Sequence, residues 1–241
     1  MSRALDRLLC RIASGLFSRV RPHTLPMTPE DLRVMRVSFS QFGEDLVVAE
    51  HLRGVGRTVK GIYIDAGCFD PFRFSNTRLL NLLGWRGINV DASKDSIRKF
   101  EEYRPADYNV CAALGAVEQN DEFVETAHGA GSRLSSSPAP VPERVRIKAR
   151  IAVKTRTLAS VMADSPFSDD HVDFLDIDCE GSDLAVLKGY PLGDKRPALI
   201  CIESHSSEES QEATSYLTAQ DYSEVCRLGP SLIFRDRRLA G

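Results

Sequence analysis

The sequence is defined first by what it lacks. Its six cysteines, Cys10, Cys68, Cys111, Cys179, Cys201 and Cys226, form no C-x-x-C pair and have no histidine at zinc-finger spacing, which excludes a structural zinc module and a disulfide framework. Several lie in apolar runs such as 109–114 and 198–202, as small hydrophobes do in a reducing, cytoplasmic setting. No glycine-rich G-x-G-x-x-G turn is present, so a pyrophosphate-bearing dinucleotide has no cradle. With a formal net charge of -3 and mixed signs, the chain has no broad basic field, and no Asn/Asp-Pro-Pro-aromatic run occurs; nucleic acid is not expected as a partner. No internal repeat is found, and no uninterrupted apolar stretch is long enough to span a bilayer.

What is present is an ordinary globular composition, 42% hydrophobic and 27% charged over 241 residues, enough for one large domain with a buried core. Residues 1–30 stand apart. Arg3, Arg7, Arg11, Arg19 and Arg21 surround an apolar stripe of Leu5, Leu8, Leu9, Ile12, Leu16 and Phe17 at helical spacing. The pattern predicts a basic amphipathic helix. Such a helix packs on the domain or on a second subunit in a homo-oligomer, lies on a membrane surface, or serves as an organellar presequence. Pro22, Pro26 and Pro29 then mark a linker, and the domain is expected over 31–241.

Within that domain the apolar pattern alternates. A helix capped by Ser40 is predicted to about Leu52 with Phe42, Leu46 and Ala49 on one face, and a strand over 61–66 is followed by a helix over 76–83 ended by Gly84. Further strands are expected at 87–90, 108–114, 122–125, 151–154, 172–177 and 198–202. Strands and helices in alternation imply an α/β fold with a parallel sheet of right-handed crossovers. Tyr222 to Arg227 and Ser231 to Phe234 are joined only by Gly229-Pro230, too short for a crossover, and predict a closing antiparallel hairpin. The Gly-, Ser- and Pro-rich stretch 129–142 reads as a lid or a plain connector.

Ligands of open α/β sheets bind beyond the carboxyl ends of the strands. The first such end reads Asp65-Ala66-Gly67, and its single glycine admits a ligand without phosphates while Asp65 suits an ammonium group. Asp91 ends the second strand at the offset where an acid accepts hydrogen bonds from ribose hydroxyls. Ala113, at the third exit, offers a small side chain and backbone groups to an adenine edge. The run from Val172 to Asp183 brings Asp178 and Glu180 to the same rim. Those acids could hold a divalent metal, act as general base or cap the helix that starts near Ser182; capping is the reading for Asp183. His205, beyond a strand that contains Glu203, reaches that rim as a candidate base.

Four motifs, taken together, resemble the FkbM family of S-adenosylmethionine-dependent methyltransferases over residues 38–234. They are Ser40-Gln41-Phe42-Gly43-Glu44-Asp45, Asp65-Ala66-Gly67 with Ser75-Asn76-Thr77, Gly84-Trp85-Arg86-Gly87-Ile88, and Ile177-Asp178-Cys179-Glu180-Gly181 with Val186-Leu187-Lys188-Gly189. The resemblance implies a Rossmann-like class I methyltransferase fold with a seven-stranded sheet. It also implies O-methylation of a hydroxyl on a small molecule, a sugar or secondary metabolite. Asp65, Gly67, Asn76, Asp91, Ala113 and Asp178 are then expected to bind the cofactor, with Glu180 and His205 catalytic. Asp91-Ala92-Ser93 stands where Glu-Pro is frequent in the family, and Asp183 where Glu is usual; Asp for Glu at 91 keeps the ribose acceptor. The competing reading is a non-catalytic module of the same fold that docks on a membrane or a partner protein.

Overall fold

The computed structural model describes residues 29–54, 56, 60–138, 145–193 and 195–239. The basic stretch 1–21 and nearly all of the linker lie outside the described residues. Among those described, no helix is long and apolar enough to cross a membrane.

After α1 (Pro29–Val34) the chain turns into α2 (Glu44–Gly54). Ser40 does act at this entry: its Oγ accepts from Gly43 N at 3.1 Å and Asp45 N at 3.3 Å. The inward face, however, carries Glu44, Asp45, Val48 and Leu52 rather than Phe42, Leu46 and Ala49. The acids are buried because their oxygens are used: Asp45 accepts from Ser38 Oγ and Phe39 N, and Glu44 from Phe42 N and Ser231 Oγ. Apolar spacing cannot register that kind of burial.

Next come β1 (Ile62–Ala66), α3 (Arg78–Leu82), β2 (Arg86–Asp91), α4 (Lys94–Tyr103) and β3 (Tyr108–Cys111). Ser93 caps α4 by accepting from Ser96 N. The later core elements are α5 (Leu158–Ala163), β7 (Phe174–Ile177), α6 (Asp183–Lys188), β8 (Leu199–Glu203), α7 (Ser207–Ala219), β9 (Tyr222–Leu228) and β10 (Ser231–Asp236). The main sheet has seven strands in the order β3-β2-β1-β7-β8-β10-β9. Its first five are mutually parallel, and β10 runs antiparallel to both β8 and β9. This is the α/β class I methyltransferase architecture with its C-terminal hairpin. One face of the sheet packs Ile64, Val90, Ile177 and Ile202 against α5, α6 and α7, and the other packs Tyr63, Leu199 and Cys201 against α2 and α3. Period-two burial of the central strands produces both layers from one sequence.

Two expected strands leave this sheet. β4 (Asn120–Thr126), β5 (Arg133–Leu134) and β6 (Ile147–Lys154) form a separate antiparallel sheet in the order β5-β4-β6. Parallel pairing needs a crossover, usually helical, and 127–146 carries no helix among its described residues. β6 is moreover exposed along most of its length, which no core strand could be. The described part of the lid candidate contains a strand, since β5 lies within it. Asp183 also differs from a simple cap: its oxygens accept from Cys179 N and Gly181 N, both at 2.8 Å, and pin the turn that precedes α6.

Candidate functional site at the strand switch point

Strand order reverses between β1 and β7, so their exit loops diverge above the sheet and leave a crevice. Gly67 stands where the two exits meet. It holds φ +85°, and a Cβ there would lie 1.8 Å from the carbonyl oxygen of Asp178. Only glycine fits the backbone angle and the approach together. Beyond it opens a cavity of about 1460 Å³ that contains Asp65, Gly67, Asn76, Asp91, Ala113, Asp178, Glu180 and His205. Every site residue expected from the sequence thus lines one space.

Asp65 is only 4% exposed and lies beneath the loop that follows β1. It accepts from the Thr77 hydroxyl and lies 4.0 Å from Nη1 of Arg104. That guanidinium, fully buried, donates to Thr77 Oγ1 at 2.8 Å, Ser75 Oγ at 2.9 Å and the Pro71 carbonyl at 2.8 Å, and so ties the loop to α4. Burial raises Asp65 above the ordinary carboxylate range, against the opposing pull of Arg104 and Thr77. On the neighbouring strand Asp176 pairs in register with Asp65. Its burial, and then the Asp65 charge, push it well upward, and Asn76 Nδ2 donates to it at 3.0 Å. Two adjacent buried acids disfavour double ionisation, and here burial raises both, with the Asp65 charge raising Asp176 further.

Asp91 closes β2 with its carboxylate half-engaged. Oδ1 accepts from Ser93 N at 2.7 Å and Oδ2 from Phe69 N at 3.0 Å. A carboxylate offers about four lone-pair positions, which leaves acceptor capacity toward the cavity. Burial carries Asp91 up to about 6. The apolar part of the lining is Val90, Ala112, Ala113, Leu114, Phe123 and Cys179.

The fourth group lies between β7 and β8. His205 Nε2 is 3.1 Å from Glu203 Oε2 and 3.8 Å from Glu180 Oε2. The hydrogen bond to Glu203 raises His205 to about 9. Burial alone would raise Glu203, but bonds from His205 and Asp178 outweigh it and hold that carboxylate below its ordinary value. Asp178 opens onto the cavity yet is crowded by protein, and that crowding with the Glu203 charge beside it pushes it well up. The Glu203 carboxylate thus sits between Asp178 and His205, and with His205 raised to about 9 the imidazole is mainly charged at neutral pH. Glu180 is engaged differently. At φ +51° its Oε1 accepts from Gly131 N at 2.6 Å, Oε2 lies 3.5 Å from Arg133 Nη2, and its carbonyl accepts from Ser137 Oγ at 2.9 Å. It fastens the 129–137 segment over the crevice. No group of three or more His, Cys, Asp or Glu among the described residues is arranged to hold a metal ion.

Four residues of the candidate site have no assigned role in the sequence pattern. Arg104 resembles any surface arginine at a helix end, and nothing in its neighbours announces full burial. Glu203 was visible within its strand but had no assigned partner, since its pairing with Asp178 needs β7 beside β8. Gly131 and Arg133 belong to a segment whose composition suggested a lid or a plain connector, with no residue singled out.

A family model described as Methyltransferase FkbM domain matches residues 63–225 of the chain. No curated protein and no solved structure matches it.

Proposed function

Because the chain belongs to the FkbM methyltransferase family and is thereby an S-adenosylmethionine-dependent methyltransferase, we propose that it methylates a hydroxyl oxygen of a small polyhydroxylated acceptor, such as a sugar or a secondary metabolite. The observation that carries this reading is the Glu203–His205 pair set at the carboxyl edge of β8 inside the shared cavity. A hydroxyl must lose its proton as it attacks, and a base within the same space meets that need.

The residues present fit the cofactor. Asp91 has free acceptor capacity for ribose hydroxyls, the small apolar wall at Ala113 suits an adenine edge, and the single glycine turn at Gly67 has no need to hold a phosphate. Asp65, Asn76 and Asp178 form the acidic and amide end for the methionine part. When bound, S-adenosylmethionine supplies an electrophilic methyl carbon on a sulfonium sulfur. The protein's part is alignment, worth up to ~7–11 kcal/mol in favourable cases, and proton removal by His205. Glu203 orients the imidazole and stabilises its charged form. Beyond His205 the cavity is lined by Ser206, Ser210, Gln211, Thr214 and Ser215, and Phe42 also lines it. Hydroxyls and amides together with an aromatic ring match an acceptor rich in hydroxyl groups.

His205 is a base only as neutral imidazole, and with its value at about 9 the neutral form is the minor one at neutral pH. Transfer of labelled methyl to hydroxyl acceptors is therefore expected to rise about tenfold per pH unit and level off near pH 9. In His205→Gln the slope disappears and turnover falls about 100-fold, with cofactor affinity retained in calorimetry. A wild-type profile already flat above pH 6 would remove His205 from the role. Cofactor binding without transfer to any acceptor, with or without a chelator, would instead favour the non-catalytic docking module.

A further inference from the structure

We propose that the rim of the cavity docks on an anionic lipid bilayer, with the first 28 residues as a second point of attachment. The loop between β1 and α3 turns Phe72 and Phe74 outward, each 40% exposed. Phe74 also lines the cavity, so the display lies at its mouth. The Phe72 ring meets Tyr103 edge-on at 4.7 Å, and Tyr103 is itself half exposed. Arg73 lies over Phe74 at 4.5 Å and Arg78 over Phe72 at 5.0 Å. One turn beyond Arg78, Leu82 adds a 54% exposed side chain. The backbone bond from Ser75 N to Phe39 O ties the chain ahead of α2 to this loop, and a few residues upstream Val34, Met35 and Val37 are exposed. Rings, aliphatic side chains and arginines are thus gathered on one surface. Among the described side chains the nearby acids are Asp70, already paired with Lys99 at 2.7 Å, Glu30 opposite Arg33, and Glu102 beside Tyr103.

Charge selects the occupant. The first 28 residues carry Arg3, Arg7, Arg11, Arg19 and Arg21 against the single acid Asp6. That segment and the rim have the same sign, so neither covers the other well. A second copy would set Arg73 and Arg78 against their own equivalents. An anionic bilayer answers both surfaces at once, taking aromatic rings at its interface and arginines at its headgroups. Stable attachment to membranes by shallow elements takes two such signals, and the chain supplies two. If the acceptor proposed above is correct, it reaches the cavity from the bilayer side. Vesicle binding needs no acceptor, so the two readings stand or fall separately.

The test is co-sedimentation of the full chain with vesicles of phosphatidylglycerol and phosphatidylcholine, against phosphatidylcholine alone. Binding is expected to the anionic vesicles, weakened by salt. The double variant Phe72→Ser/Arg73→Glu and the triple variant Arg3→Glu/Arg7→Glu/Arg11→Glu should each lower it about tenfold. Thermal melts matching the wild type show that both variants remain folded. The proposal is overturned if the full chain ignores anionic vesicles, or if Phe72→Ser/Arg73→Glu binds them like the wild type. It is also overturned if light scattering finds a dimer that this variant dissolves, which would make a second copy the occupant.

Discussion

At the scale of single residues, the site rests on positions whose value comes from what surrounds them. Gly67 looks, in the sequence, like room for a ligand; in the fold it is first the point where β1 and β7 exits touch, with the Asp178 carbonyl where a Cβ would be. Gly67→Ala combines a backbone collision with an unfavourable angle at φ +85°. It is expected to cost about 2–4 kcal/mol in urea unfolding, and a midpoint equal to wild type would contradict that packing. Arg104 makes the converse point. Its buried guanidinium joins Asp65, Thr77, Ser75 and the Pro71 carbonyl, yet a buried arginine cannot be recognised from one sequence because its partners lie in the stretch 65–77, far from it along the chain. The acids were legible as acids. Their protonation was not, since the shifts of Asp176, Asp178 and His205 depend on neighbours across strands.

Among the elements, the insertion sheet of β4, β5 and β6 departs most from the expected pattern. The composition of 129–142 suggested a lid, and the structure gives part of it a strand and a fastening. Glu180 is that fastening, through Gly131 N, Arg133 and Ser137. Glu180→Ala should leave β4 protected while amides in 129–137 exchange about tenfold faster, since a charge-assisted bond contributes about 1.5–3 kcal/mol. Unchanged exchange across that segment would mean that β5 pairing alone holds it. Sequence periodicity located β4 and β6 to within a few residues but could not assign them to a sheet. Strand pairing is decided by the connections available, and the segment between them has no helix with which to cross over.

For the whole molecule, cofactor binding and folding are linked. The cavity joins the exits of β1, β2, β3 and β7, so a ligand held there binds only the assembled sheet. S-Adenosylmethionine at about 100 times its dissociation constant should stabilise the protein by ~2.7 kcal/mol, a rise of about 5–10 °C in melting temperature. NAD should give none, and Asp91→Asn should lose most of the rise and lower the melting temperature of the free protein only by a few degrees, because an amide can accept from one of the two backbone N–H groups that the carboxylate serves while relief of a buried charge offsets part of the loss. An equal shift with both ligands would sink the cofactor assignment. The sequence by itself determined the α/β class, the closing hairpin and the set of acids at strand ends, because apolar period and turn residues act locally. Only the tertiary structure decided which strands share a sheet, which acids are pushed upward by their neighbours and that Glu180 fastens a loop. Those properties arise between segments distant in the chain, where proximity, burial and charge are set by the fold.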